Sequence, residues 1–169
     1  MFKALFLLAY HACLRAGELC CSNSTKHTLK VEKVDIVKSN GNTGINIMLE
    51  SHKHSVGSNK MRLNQLNSCS YWPVNALLNF LKIRPLYPGP LFIDEMGLPI
   101  KRASAAVVLK KCVAFCGLDP SRYNFHSFRI GRATDLALEG TPDHIIKETG
   151  RWRSNAYLKY IGFDLLVLP

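Results

Sequence analysis

No stretch of the 169-residue chain approaches the roughly eighteen consecutive apolar residues that would make a transmembrane helix. The six cysteines contain no CxxC pair and no Cys/His set with zinc-finger spacing. Cys20 and Cys21 are adjacent, Cys13 and Cys69 stand alone, and Cys112 and Cys116 lie four apart in a helical pattern. That spacing argues against a metal cluster or a disulfide framework and for buried free thiols of an intracellular protein. There is no GxxxxGK loop followed by Ser or Thr, no GxGxxG after a strand, no HExxH and no GxSxG. Acidic residues are also scarce, and no DxD or paired-carboxylate arrangement suggests a two-metal nuclease. An enzyme built from this chain to handle phosphate has to use Arg, Lys, His and Tyr.

Basic residues are plentiful. Twenty-two Lys and Arg against 12 Asp and Glu leave a net charge of +10, which favours a polyanionic partner, nucleic acid before membrane. The excess is concentrated. Ser51 to Ile93 holds Lys53, Lys60, Arg62, Lys82 and Arg84 with no acid, and Lys101 to Arg132 holds seven basic residues against Asp119 alone. With 47% apolar and 20% charged residues, the chain is long enough to bury a core without staples, and one domain is expected. The opening MFKALFLLAY is short for a signal peptide, and His11 and Arg15 follow where a cleavage region would lie.

Apolar spacing predicts a helix from Phe2 to about Cys20. Leu29 to Val37, Ile45 to Glu50 and Lys60 to Leu66 read as strands, with Ser39-Asn40-Gly41-Asn42 as a turn. After Tyr71 the pattern is helical. Helices are expected over Pro73 to Ile83, over Arg102 to Cys116 closed by Gly117, and from Asn124 or His126 to Glu139 closed by Gly140. A shorter one should open with Thr141 as N-cap and Pro142 at its first position, and the last should begin at Ser154 or Asn155 and carry Tyr157 and Tyr160. The expectation is an α+β domain, mainly helical, with a small antiparallel three-stranded sheet in the first half.

Candidate chemical residues fall in order along this frame. Leu14-Arg15-Ala16-Gly17-Glu18-Leu19 ends the first helix, Ser51-His52-Lys53-His54 lies between two strands, and His126-Ser127-Phe128-Arg129 opens a helix. Gly150-Arg151-Trp152 precedes the last helix, where Tyr160 lies. The series Arg, Lys, His-x-x-Arg, Trp, Tyr resembles the signature of the tyrosine recombinase (phage-integrase-like) catalytic domain over essentially the whole chain. Within that family, HSFRIGRAT and GRWRSNAYLKYI look most similar to integrases of eukaryotic Ngaro and DIRS-type retrotransposons or Cryptons.

The resemblance implies a single DNA breaking-rejoining catalytic domain over residues 1–169, without the family's N-terminal core-binding domain. It implies a site-specific recombinase or integrase that works through a 3′-phosphotyrosyl intermediate, with no metal and no small-molecule cofactor. The implied partner is double-stranded DNA, on which the protein self-associates, with no membrane. The implied location is the nucleus if the source is eukaryotic and the cytoplasm otherwise. The implied catalytic set is Arg15, Lys53, His126, Arg129, Trp152 and Tyr160, with Glu18 orienting Arg15. Lys60, Arg62, Lys101, Arg102, Arg132 and Arg151 are the expected DNA contacts.

The chemistry of the set is sound without the family. Cleaving a phosphodiester without metal needs fixed positive charge at the nonbridging oxygens, and two guanidiniums, Arg15 and Arg129, can clamp them bidentately. His126 shares a helix face with Arg129 and can orient a nucleophile or move its proton. Trp152 can only donate its indole N–H. Tyr160 can attack phosphorus and store the bond as an ester. Lys53 resembles the general acid for the leaving 5′-hydroxyl, with Lys60 as the alternative. Tyr157 is the alternative nucleophile, since Trp152 and Tyr160 are eight residues apart, one fewer than the common family interval. Arg15 and Glu18, at i and i+3, also fit a plain surface ion pair. Two other functions are compatible with the same residues: an inactive DNA-binding remnant of a mobile-element integrase, and a type IB topoisomerase-like relaxing activity.

Overall fold

The computed structural model describes residues 1–22, 25, 27–39, 42–50, 59–65 and 72–161. Lys53, Cys69 and the Asn40-Gly41 centre of the expected turn lie outside them.

The first helix is shorter than its apolar spacing predicts. Helix α1 (Phe2–His11) buries Ala4, Leu5, Leu8 and Ala9, and the helix then stops instead of running to Cys20. Cys13 turns into the left-handed region at φ 46°, and Leu14 N–H donates to the Ala9 carbonyl at 3.1 Å. A four-residue helix, α2 (Ala16–Leu19), restarts with Arg15 as its N-cap. Cys13 and Leu14 are fully buried, so the break lies inside the core and turns a backbone carbonyl inward.

The sheet has three antiparallel strands in the order β1 (Val34–Ser39), β2 (Asn42–Leu49) and β3 (Asn59–Asn64). The first strand begins later than its sequence pattern suggests, because Val31–Lys33 forms a 3-10 turn after the Lys30 bridge to Pro90. Strands β1 and β2 pair antiparallel, with Ser39 opposite Asn42. Ile45, Ile47 and Leu49 of β2 are buried, and Met61 and Leu63 of β3 join them on the core face. Lys60, Arg62 and Asn64 alternate to the outside, as period 2 requires.

Helix α3 (Pro73–Ile83) starts on proline and buries Val74, Leu77 and Phe80. Beyond it, the guanidinium of Arg84 is buried and donates to the carbonyls of Pro85, Tyr87, Pro90 and Leu91. This arginine therefore organises a loop and adds nothing to the basic surface. Helix α4 (Arg102–Phe115) is closed through Gly117 at φ 73°, a conformation that suits glycine. It leaves Cys112 and Cys116 exposed, whereas Cys13, Cys20 and Cys21 are buried, so the expectation of buried thiols holds for only part of the set.

Helix α5 (Phe125–Leu138) is capped by Asn124, whose side chain accepts the His126 N–H at 2.8 Å. Helix α6 (Asp143–Gly150) begins one residue later than predicted. Pro142 has ψ 142° and is the N-cap, not the first helical residue. The final element is a 3-10 helix, Asn155–Tyr160, capped by the Ser154 hydroxyl.

Two apolar clusters result. The main core joins α1, α3, the inner sheet face and Phe125. A satellite cluster gathers Ala133, Leu136, Ile146, Tyr157 and Ile161. Helix α5 belongs to both. Each fully buried leucine or isoleucine stabilises by roughly 2 kcal/mol relative to exposure. The main core holds the N-terminal end of α5 through Phe125 and Phe128, beside His126 and Arg129, and the satellite cluster holds its C-terminal half.

Candidate phosphoryl-transfer site

The α1–α2 break is the foundation of the site. The inward-turned Cys13 carbonyl accepts from Arg129 Nη1 and, at 3.3 Å, from Arg151 Nη2. Arg129 Nη2 also donates to the Gly150 carbonyl at 2.9 Å. A buried guanidinium on α5 is thus fixed by two backbone oxygens from distant parts of the chain. Burial and then the charge of Arg15 lower the pKa of Arg129, with Arg151 acting in the same direction. It remains cationic at any physiological pH, because arginine starts so high. The electrostatic influence of Arg15 on Arg129 and Arg151 places all three guanidiniums in one neighbourhood.

Arg15 is held by its own helix start. Its N–H donates to Glu18 Oε2 at 2.7 Å, and its Nη1 reaches Glu18 Oε1 at 3.2 Å. The Glu18 side chain is 5% exposed and that of Arg15 40%, so the carboxylate is a buried anchor and the cation is open to solvent. The ion pair and the orienting arrangement expected for Glu18 are one structure.

Two aromatic rings lie against Arg129. Its Cζ is 4.8 Å from the Trp152 centroid and 5.7 Å from that of Tyr160. The Tyr160 ring lies 4.8 Å from the His126 ring and 4.9 Å from Trp152. Partial burial and then the Arg129 charge lower the pKa of His126, so its imidazole is neutral at pH 7 and has a free lone pair to accept a proton. The indole Nε1 of Trp152 is buried and has no hydrogen-bond partner among the described residues, which marks a donor suited to an incoming oxygen. Trp152 covers Gly150 so closely that a Cβ there would fall 1.7 Å from the ring. Glycine at 150 is therefore a packing requirement of the tryptophan.

The two tyrosines differ sharply. Tyr157 is 1% exposed, sits in the satellite cluster and hydrogen-bonds to Asp143, which raises its pKa. Tyr160 is half-buried and faces His126, with its carbonyl accepting from the Thr134 hydroxyl at 3.3 Å.

The structure thus gathers Arg15, Glu18, His126, Arg129, Trp152 and Tyr160. The expected DNA contacts divide. Lys60 and Arg62 are exposed on β3, beside a cavity of about 290 Å³ that His11, Glu148 and Arg151 also line. Lys101 and Arg102 are exposed at the start of α4. The Arg132 side chain, 22% exposed, lies over the Tyr10 ring and pairs with Glu139 at 3.7 Å. Arg151 points inward. Sequence reasoning missed the Cys13 carbonyl altogether, since neither glycine nor proline marks that break.

This α+β fold with this set of side chains is that of a tyrosine recombinase catalytic domain. Residues 1–160 match the Phage integrase family, and the chain belongs to it. No curated protein matches the chain. Among solved structures, XerH site-specific recombinase bound to difH substrate in a pre-cleavage complex aligns with 98% of the chain at 18% identity and TM-score 0.71. A post-cleavage XerH complex with palindromic difH substrate aligns with 96% of the chain at 18% identity and TM-score 0.70. The Tn1549 transposon integrase in complex with circular intermediate DNA aligns with 95% at 18% identity and TM-score 0.56. At that identity these likenesses concern the fold. The chain spans 43%, 42% and 52% of those three chains.

Proposed function

We propose that this chain cleaves and rejoins double-stranded DNA through a 3′-phosphotyrosyl ester on Tyr160, as part of a site-specific recombination or integration reaction. The observation that carries this reading is the placement of Tyr160 between His126 and Trp152 beside Arg129, while Tyr157 is buried on Asp143.

In the reaction, Arg15 and Arg129 hold the two nonbridging oxygens, and the indole N–H of Trp152 donates to one of them. Neutral His126 accepts the phenolic proton as Tyr160 Oη bonds to phosphorus. The bond from phosphorus to the 5′-oxygen breaks, and the departing oxygen takes a proton from Lys53 or Lys60. Attack by a 5′-hydroxyl on the ester reverses the sequence, returns the proton to Tyr160 and rejoins a strand without net hydrolysis.

Exposed Lys60, Arg62, Lys101 and Arg102 supply phosphate contacts, and copies of the chain assemble on DNA. The solved relatives are DNA complexes, which supports DNA as the partner. The GRWRSNAYLKYI string supports an origin in a eukaryotic mobile element and, with it, a nuclear location.

A suicide duplex, nicked so that the cleaved 5′ fragment diffuses away, tests the proposal. The unmutated chain becomes covalently attached to DNA. Tyr160→Phe binds but is not captured, and Tyr157→Phe is captured with a slightly lowered Tm. Capture by Tyr160→Phe but not by Tyr157→Phe moves the nucleophile to Tyr157. Binding of the duplex by the unmutated chain with no covalent capture would instead favour the second reading, an inactive DNA-binding remnant.

A further inference from the structure

Arg151 takes no part in the chemistry above, and it is the most constrained cation of the site. Its backbone lies in the left-handed region at φ 56°, which non-glycine residues seldom adopt. Its side chain is 6% exposed. Nη2 donates to Glu18 Oε2 at 2.8 Å and to the Cys13 carbonyl at 3.3 Å, and Nη1 meets Met61 Sδ at 3.4 Å. These contacts tie α2, the α1–α2 break and strand β3 to the end of α6. The side chain also lines the cavity beside Lys60 and Arg62, and its buried Nε has no partner among the described residues, but at the two terminal nitrogens a DNA phosphate would compete with internal partners.

The two oxygens of Glu18 are shared unequally. Among the described residues, Oε1 receives Arg15 Nη1 alone, whereas Oε2 receives Arg15 N–H and Arg151 Nη2. A carboxylate with both oxygens open draws an arginine into a bidentate fork, the strongest pairing it can make. Arg151 occupies the oxygen that such a fork would need.

We propose that Arg151 is a positioning residue that, by saturating Glu18 Oε2, limits the carboxylate to a single-point grip on Arg15 and leaves that guanidinium available to phosphate. The inference rests on Arg15 being a phosphate ligand, as argued above. Without Arg151, Glu18 becomes a competitor for Arg15. Neutralising Glu18 then repairs the defect, which distinguishes this role from general structural support.

The test follows the arginine Nε–Hε resonances of the full ¹⁵N-labelled chain while inorganic phosphate is titrated. In the unmutated protein, phosphate shifts Arg15 and leaves Arg151 in place. Arg151→Gly, which keeps the backbone at ease at positive φ, raises the half-saturating phosphate at Arg15 by about tenfold, the scale of one charged hydrogen bond. Glu18→Gln in the same chain restores most of that loss. Arg151→Lys, which can reach Oε2 but cannot span all three partners, falls between. It also serves as the second variant if thermal melting shows Arg151→Gly to be unfolded.

The proposal is overturned by an Arg151 resonance that titrates with Arg15, by an unchanged half-saturation in Arg151→Gly, or by a loss that Glu18→Gln does not repair. Absence of any phosphate response at Arg15 in the unmutated chain overturns it as well. Suicide-duplex capture by the unmutated protein is scored separately. A chain that shows the phosphate pattern but no capture refutes the recombinase reading and leaves this inference standing.

Discussion

A methyl group at position 150 would fall 1.7 Å from the Trp152 ring, so one hydrogen atom decides whether the tryptophan can lie against Arg129. Gly150→Ala is expected to push the indole out of place. Overpacking of this kind costs about 1–3 kcal/mol, readable in chemical denaturation, and capture of the suicide duplex should fall with it. Retained capture at full stability would mean that Trp152 has no required position. At this scale the sequence was legible wherever spacing alone forces proximity. His126 and Arg129, three apart on α5, meet Trp152 and Tyr160 as their order in the chain suggests. It was illegible for Arg84, Arg132 and Arg151. A guanidinium reads the same whether it faces solvent or caps buried carbonyls, and only tertiary structure supplies the carbonyls.

Elements were legible where their ends carry stop or start chemistry. Pro73, Gly117, Asn124 and Gly140 bound α3, α4 and α5 close to where they were expected. The α1–α2 break was hidden because its left-handed residue is Cys13, and buried contacts in place of glycine sustain that conformation. The end of α1 also carries a pH dependence. His11 packs on Tyr10 and Trp72, and burial followed by the nearby Arg132 charge lowers its pKa to about 4. The unfolded histidine titrates near 6.5, so between pH 6.5 and about 4 the unfolded chain binds more protons than the folded one. Stability therefore rises with pH through that window. One such group gives at most about 1.4 kcal/mol per pH unit, and partial exposure reduces this to a fraction. Urea denaturation of the unmutated chain at several pH values should show the slope, and His11→Gln should flatten it. Equal slopes in the two proteins would exclude His11 as the source.

For the whole molecule, the net charge of +10 overstates the charge on the outer surface, because Arg84 and Arg151 are buried or turned inward. DNA affinity is expected to fall steeply with salt, through the cations that remain outside. Arg62→Ala should make the plot of log K against log salt shallower by about 1, while Arg84→Ala should leave that slope unchanged and lower the Tm. A slope that responds to Arg84 and ignores Arg62 would place the DNA surface elsewhere. Charge and fold class could be read from composition and periodicity, but the division of arginines between interior and surface could not. The two apolar clusters have a consequence of a different kind. Among the described residues, the segment carrying Tyr160 packs in the satellite cluster and meets the main core through α5. Such a segment is expected to open as its own cooperative unit while α1, α3 and β2 stay closed. In amide hydrogen exchange, residues 155–161 should therefore open at a lower free energy than Leu5, Ile47 and Leu77, so Tyr160 can leave its seat without the protein unfolding.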